Sequence, residues 1–162
     1  MIIATRGHIS TQTYELIANA SVERGGIPGW PAEWYHSAAG TAWANIARRG
    51  NHSLHIQVIA QTADWRSVYF GVKAGTYHLS GYVKGIGSNQ TFLTIRWFSN
   101  PNGTGFISED NISLDGTFAD WTLRQQDFVA PSGAQSADVM FRCPAATTAD
   151  IYGDDFSVRR VQ

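Results

Sequence analysis

The chain has 162 residues, of which 43% are apolar, 12% aromatic and only 15% charged, with 16 glycines spread along its length. One domain of this size buries roughly 70% of the surface its unfolded chain exposes, and the composition excludes a coiled coil, a disordered tail and a collagen-like chain. A net charge of −1 offers no basic field to a phosphate backbone, so nucleic acid is not an expected partner; no apolar run approaches the about 20 residues of a membrane-spanning helix.

Residues 1–17 fall outside any regular pattern and read as an arm or an extra edge strand, with a single domain over 18–162. The opening Met1-Ile2-Ile3-Ala4-Thr5-Arg6 lacks the basic and apolar regions of a secretory signal. Only residues 39–48 offer a helical window, poorly bracketed by Gly40 and Gly50. Strand alternation is far stronger. It appears in 53–60 (Leu54, Ile56, Val58), 76–84 (Tyr77, Leu79, Val83), 91–98 (Leu93, Ile95, Trp97), 136–142 (Ala137, Val139, Phe141) and 155–160 (Phe156, Val158). Turns are expected at Lys73-Ala74-Gly75, Gly85–Asn89, Asn100–Gly103, Asp115-Gly116 and Pro131–Gly133. The pattern predicts an all-β fold, a β-sandwich jelly roll of about nine antiparallel strands. The one cysteine, Cys143, reads as a small buried hydrophobe.

Ordered pieces of the sequence carry a family resemblance over about residues 17–160. They are Asn19-Ala20-Ser21-Val22-Glu23, Gly29-Trp30, His52–Ile56, Gly75–Gly85, Trp121, Ala130–Ala134 and Tyr152–Val158. Together they resemble the jelly-roll carbohydrate-binding modules attached to glycoside hydrolases. A fainter resemblance, over Ala4–Ile17, is to Arg…Gln-x-Tyr-Glu-Leu segments of tailed-bacteriophage virion proteins. The fold also serves as a plain structural unit, so function must come from the site.

Parity assigns the candidate site. If Tyr77, Leu79 and Val83 face the core, then His78, Ser80, Tyr82 and Lys84 face outward. The same rule sends out Thr94, Arg96 and Phe98, then Arg124 and Gln126, then Asp138, Met140 and Arg142. Pairing these strands is expected to build one face bearing a ring, a histidine, arginines, a lysine and an amide. Rings cover the C–H faces of sugars and guanidinium forks hold hydroxyls or carboxylates. The resemblance implies that this is a concave glycan cleft. The expected sugar contacts are His78, Tyr82, Lys84, Arg96, Arg124, Gln126 and Arg142. Trp34 and Tyr35 extend them from a loop, and Trp30 closes one end of the core. Trp65, Trp97 and Trp121 are expected in the core.

The resemblance also implies one structural calcium ion on Glu23 and Asp154, hard oxygen ligands that would tie the first strand to the last; Val22 and Gly153 replace bulkier residues usual there. His52 and His55 lie three apart in a strand, face opposite ways and cannot chelate one metal. No G-x-S-x-G, H-E-x-x-H or P-loop is present, so an enzyme is not expected. The sequence therefore predicts a non-catalytic glycan-binding protein, as a phage tail or head accessory on the virion surface. Its partners would be a polysaccharide or cell-surface glycan and, through residues 1–17, other virion proteins. Two alternatives stand beside it: a structural decoration protein without sugar affinity, and a binding module of a secreted glycoside hydrolase.

Overall fold

A computed structural model describes residues 14–37, 40–144 and 148–161. Among them are eleven strands and no helix: β1 (Trp34–His36), β2 (Thr41–Ala44), β3 (Ser53–Ile59), β4 (Ala63–Ser67), β5 (Phe70–Gly71), β6 (Thr76–Gly87), β7 (Phe92–Phe98), β8 (Phe106–Ser113), β9 (Gly116–Val129), β10 (Ser136–Cys143) and β11 (Thr148–Val161). They form two antiparallel sheets. A six-stranded sheet runs β1-β4-β10-β7-β8, with β5 also on β10, and a five-stranded sheet runs β2-β3-β11-β6-β9. This is the jelly-roll sandwich that the alternation predicts.

The inward parity of both sheets fills the space between them. Trp65, Trp97, Tyr77, Phe141, Phe156, Leu54, Ile56, Leu79, Leu93, Ile95 and Ile151 are all fully buried there. Tyr77 turns its hydroxyl to the backbone of Lys73, donating to the carbonyl and accepting from the N–H, both at 2.8 Å. A buried ring with a satisfied hydroxyl is a net gain for the core.

Two local expectations differ from the structure. The helical window over 39–48 holds the short strand β2, because its Ala-Trp-Ala alternation pairs with β3 from Thr41↔Ile56 to Ala44↔Ser53. Gly85-Ile86-Gly87 is not a turn but the end of β6, whose register shifts between Val83 and Gly85. Gly85 has φ +118°, and a Cβ there would lie 2.2 Å from the Asp150 carbonyl, so only glycine lets the backbones come this close. The stretch 99–117 carries the eight-residue strand β8 at its centre. β9, 14 residues long, has little alternation because it is an edge strand with much of both faces in solvent.

The proposed arm over 1–17 lies largely outside the described residues. Its end is strapped to β11: the Leu16 N–H donates to the Val158 carbonyl at 3.0 Å. Glu15 accepts from the Val158 N–H at 2.8 Å and from the Ser157 hydroxyl at 2.5 Å.

Candidate functional site

The outward residues of the sequence reading do not form one face. β7 and β10 belong to the six-stranded sheet, and β6 and β9 to the five-stranded one. Arg96 and Arg142 therefore lie on one side of the sandwich, and His78, Tyr82 and Lys84 on the other. Arg124 and Gln126 join neither group. They pair with Gly81 and Leu79, which face the core, so they turn toward the gap between the sheets; Arg124 donates from Nη2 to the Ser113 carbonyl at 2.9 Å. Parity within a strand is reliable, but nothing in it says which sheet a strand joins.

The six-stranded sheet has a recessed outer face. β10 is buried at nearly every position, at both parities. Val139 and Phe141 face the core, while Asp138 and Met140 are covered on the outside; Asp64 and Thr94 beside them are buried too. Register lines up Tyr35, Arg66, Met140, Thr94 and Asn111 across the five strands. The adjacent row runs Asp138, Arg96 and Glu109.

Each arginine on this face grips a carboxylate. Arg96 donates to Asp138 from Nε at 2.9 Å and from Nη2 as well. Arg66 Nε donates to Asp64 at 2.8 Å, and the Ser37 hydroxyl donates to the same carboxylate at 2.6 Å. Arg142 donates to Glu109, and also to Asn111 Oδ1 at 3.4 Å, where the Thr94 hydroxyl arrives at 2.6 Å. Burial works against the Arg96 charge, yet the bond and charge of Asp138 leave its pKa raised. Asp138 is 1% exposed, although its side chain points away from the core. Above it opens a depression of about 330 Å³ lined by Tyr35, Arg66, Ser67, Val68, Tyr69 and Asp138. The two tyrosines are 63% and 46% exposed. The site thus combines free aromatic surface with a fixed array of donors and acceptors.

Sequence reading named Arg96, Arg142 and Tyr35 here, and placed Asp138 on the face without a role. It missed Tyr69, Arg66 and Asp64. The alternation Asp64-Trp65-Arg66-Ser67 was available as a signal. Trp34 is a correction: it is 4% exposed, packs 5.1 Å from the Phe156 ring and donates from Nε1 to the Asn19 carbonyl at 3.1 Å. Trp30 is half-buried against the core and stacks on His36 at 3.8 Å.

On the opposite sheet, Tyr82 is capped by the Arg48 guanidinium 3.5 Å from its ring centroid, and Arg48 pairs with Asp155 at 2.6 Å. His78 Nδ1 lies 2.6 Å from Asp127. Lys84 sits on the same face, opposite Tyr152 in register.

Glu23 and Asp154 both close on the segment 48–52. Glu23 accepts from the N–H groups of Asn51 and His52 at 2.9 Å each. Asp154 accepts from the N–H groups of Arg48 at 2.8 Å, Arg49 at 3.3 Å and Asp155 at 2.7 Å. A bulge in β11 between Asp154 and Ser157 places it there, with Asp155 at φ 47°. Burial, against these N–H bonds, pushes the Asp154 carboxyl up to about 6. This donor set does not fit a calcium cage, because N–H dipoles present their positive ends to both carboxylates. Among the described residues, no three carboxylate, imidazole or thiol groups converge. The Phe156 ring explains the small Gly153: a Cβ there would meet it at 2.6 Å. His52 and His55 serve separate partners, stacking on Trp43 at 4.0 Å and on Tyr152 at 4.1 Å.

No protein-family model and no curated protein matches the sequence. Solved structures do match the fold. A family 16 carbohydrate-binding module aligns with a TM-score of 0.61 and 22% identity, over 91% of this chain and 99% of that one. The CBM22-1 xylan-binding domain of Paenibacillus barcinonensis Xyn10C aligns at 0.59 and 20%, over 88% of this chain and 92% of that one. The enzymatically active domain of bacteriophage CBA120 tailspike protein 4 aligns at 0.67 and 15%, over 91% of this chain but only 21% of that one. The fold is thus that of the jelly-roll carbohydrate-binding modules.

Proposed function

We propose that the chain is a non-catalytic glycan-binding module whose site is the recessed outer face of the six-stranded sheet. One observation carries the reading: the outward-pointing but buried Asp138 lies at the base of a depression bordered by the exposed rings of Tyr35 and Tyr69. Exposed rings suit the C–H faces of a pyranose, and the Arg96–Asp138 and Arg66–Asp64 pairs present fixed donors and lone pairs to hydroxyls. The charges on this floor pair off, which favours an uncharged, hydroxyl-rich sugar chain. Carboxylates already committed to guanidinium groups are suited to holding a ligand rather than shuttling protons. The likeness to xylan-binding and other carbohydrate-binding modules supports the same reading.

We place the module on a virion surface, with residues 1–17 toward other virion proteins; the likeness to a phage tailspike domain supports this placement. Affinity electrophoresis through gels containing xylan, β-1,4-galactan or mixed-linkage glucan tests the function. Retardation in at least one gel is expected, and unretarded migration of folded protein in all of them contradicts it.

A further inference from the structure

We infer a second binding site on the opposite side of the sandwich, a trough across β11, β6 and β9 that takes an acidic sugar by its carboxylate. Register builds it. Ser157, Ser80 and Gln125 stand side by side on three neighbouring strands. The row on one side is Arg159, His78 and Asp127, and on the other side Tyr82 faces Leu123. Strands lie about 4.8 Å apart and successive outward rows about 7 Å apart. A row of two hydroxyls and an amide between rows of long side chains is therefore a channel running across the strands, about 10 Å from Ser157 to Gln125. The resulting cleft has a volume of about 350 Å³.

Its charge differs from that of the other face. Arg48, Arg49 and Arg159 line it with the carboxylate of Asp155, while Asp127 and Glu15 stand at its edge, held by His78 and by the Ser157 hydroxyl. Arg48 is committed to Asp155 and to the Tyr82 ring, and Arg159 is shared with Glu15 at 3.6 Å. Arg49 is held only by its backbone N–H, which donates to Asp154. Its guanidinium has no partner among the described residues and lines the cleft wall. The side chains of Ser80 and Gln125 likewise have no hydrogen-bond partner among the described residues. An unspent guanidinium beside unspent hydroxyl and amide groups fits a carboxylate carried on a hydroxylated ring, which is a hexuronate. Tyr82, capped by Arg48, forms a wall of this trough rather than a stacking platform.

Isothermal titration with tetragalacturonate tests the site, with neutral β-1,4-galactotetraose and inorganic phosphate as comparison probes. Wild-type protein is expected to bind tetragalacturonate with an affinity that falls as salt rises. Arg49→Ala is expected to weaken it at least tenfold, and Ser80→Val and Gln125→Ala severalfold. Tyr35→Ala, on the other sheet, is expected to leave it unchanged. Arg49 and Gln125 are exposed, so these variants keep the fold, checked by their thermal midpoints. The proposal is overturned by absence of tetragalacturonate binding or by wild-type affinity in Arg49→Ala. It is equally overturned by loss of binding in Tyr35→Ala, which would move the ligand to the first site, or by phosphate competing as well as the uronate, which would mean a plain anion patch. Failure here leaves neutral-glycan binding at Tyr35 and Tyr69 intact, and the reverse also holds.

Discussion

Arg96 on β7 grips Asp138 on β10 through two guanidinium nitrogens, on a side of the sheet that simple alternation assigns to solvent. The pair is directly opposed in register, so neither side chain has to stretch. It fixes the floor of the proposed glycan site and commits two charges to each other out of water.

Removing one partner strands the other. Arg96→Ala leaves the buried Asp138 carboxylate unpaired and should cost about 3–5 kcal/mol. The double variant Arg96→Met with Asp138→Leu should recover most of that loss, because a packed apolar pair avoids the desolvation of both charges. Urea unfolding measures both; a single-variant loss below about 1 kcal/mol would contradict a desolvated pair.

Gly85 gives a backbone test. Its φ of +118° and the 2.2 Å approach of the Asp150 carbonyl to a built Cβ leave no room for a side chain. Gly85→Ala should destabilise by about 2–4 kcal/mol, through both strain and a forced opening of the β6–β11 pairing. Gly133→Ala, at φ +82° in open space, should cost only about 1 kcal/mol. Equal losses in the two thermal melts would show that the close approach is not real.

The Asp154 carboxyl, buried and raised from an ordinary 3.8 to about 6, sets a pH dependence. The native state holds this proton more tightly than the unfolded chain does. The stability it confers is thus fully present below about pH 4 and is lost as pH rises through about 6. At about 1.4 kcal/mol per unit, the swing is about 3 kcal/mol. Asp154→Asn should remove this slope from denaturation midpoints taken between pH 4 and pH 7. Identical slopes in the two proteins would contradict the raised value.

The N–H bonds on Glu23 and Asp154 do the tying that a calcium ion was expected to do. Excess calcium or EDTA should therefore leave the melting temperature of the wild-type protein unchanged. A calcium-dependent rise of several degrees would mean that an ion displaces the N–H clamp, since any ligand of the folded state alone stabilises it by mass action.

Fold class was legible because both sheets depend on alternation, and Leu54, Leu79, Ile95, Val139 and Val158 advertise it. The edge strand β9 was not, because it exposes both faces. β10 was read as a strand from Ala137, Val139 and Phe141, but the burial of its outward face was not visible. Of the proposed site, Arg96, Arg142 and Tyr35 were named from the sequence, and the structure brings them to one sheet. Assigning His78 and Tyr82 to the same face failed because β6 and β7, adjacent in sequence, join different sheets. Trp34 was misread because it opens the short strand β1 instead of a loop and turns inward, where its indole N–H finds the Asn19 carbonyl, which no local pattern shows. The clamp on Asp154 depends on a bulge at Asp155, and bulges leave little trace in a single sequence.

The most direct test of the central claim is calorimetric titration of soluble xylan or β-1,4-galactan, whichever retards the protein, into wild type, Tyr35→Ala, Tyr69→Ala and the double variant. Both rings are exposed, so the substitutions should leave the fold stable. A ring that stacks on sugar contributes about 1.4 kcal/mol or more, so each single variant should bind about tenfold more weakly, and the double variant should show no measurable binding. Wild-type affinity in the double variant would place the glycan elsewhere and contradict the assignment of the recessed sheet as its site.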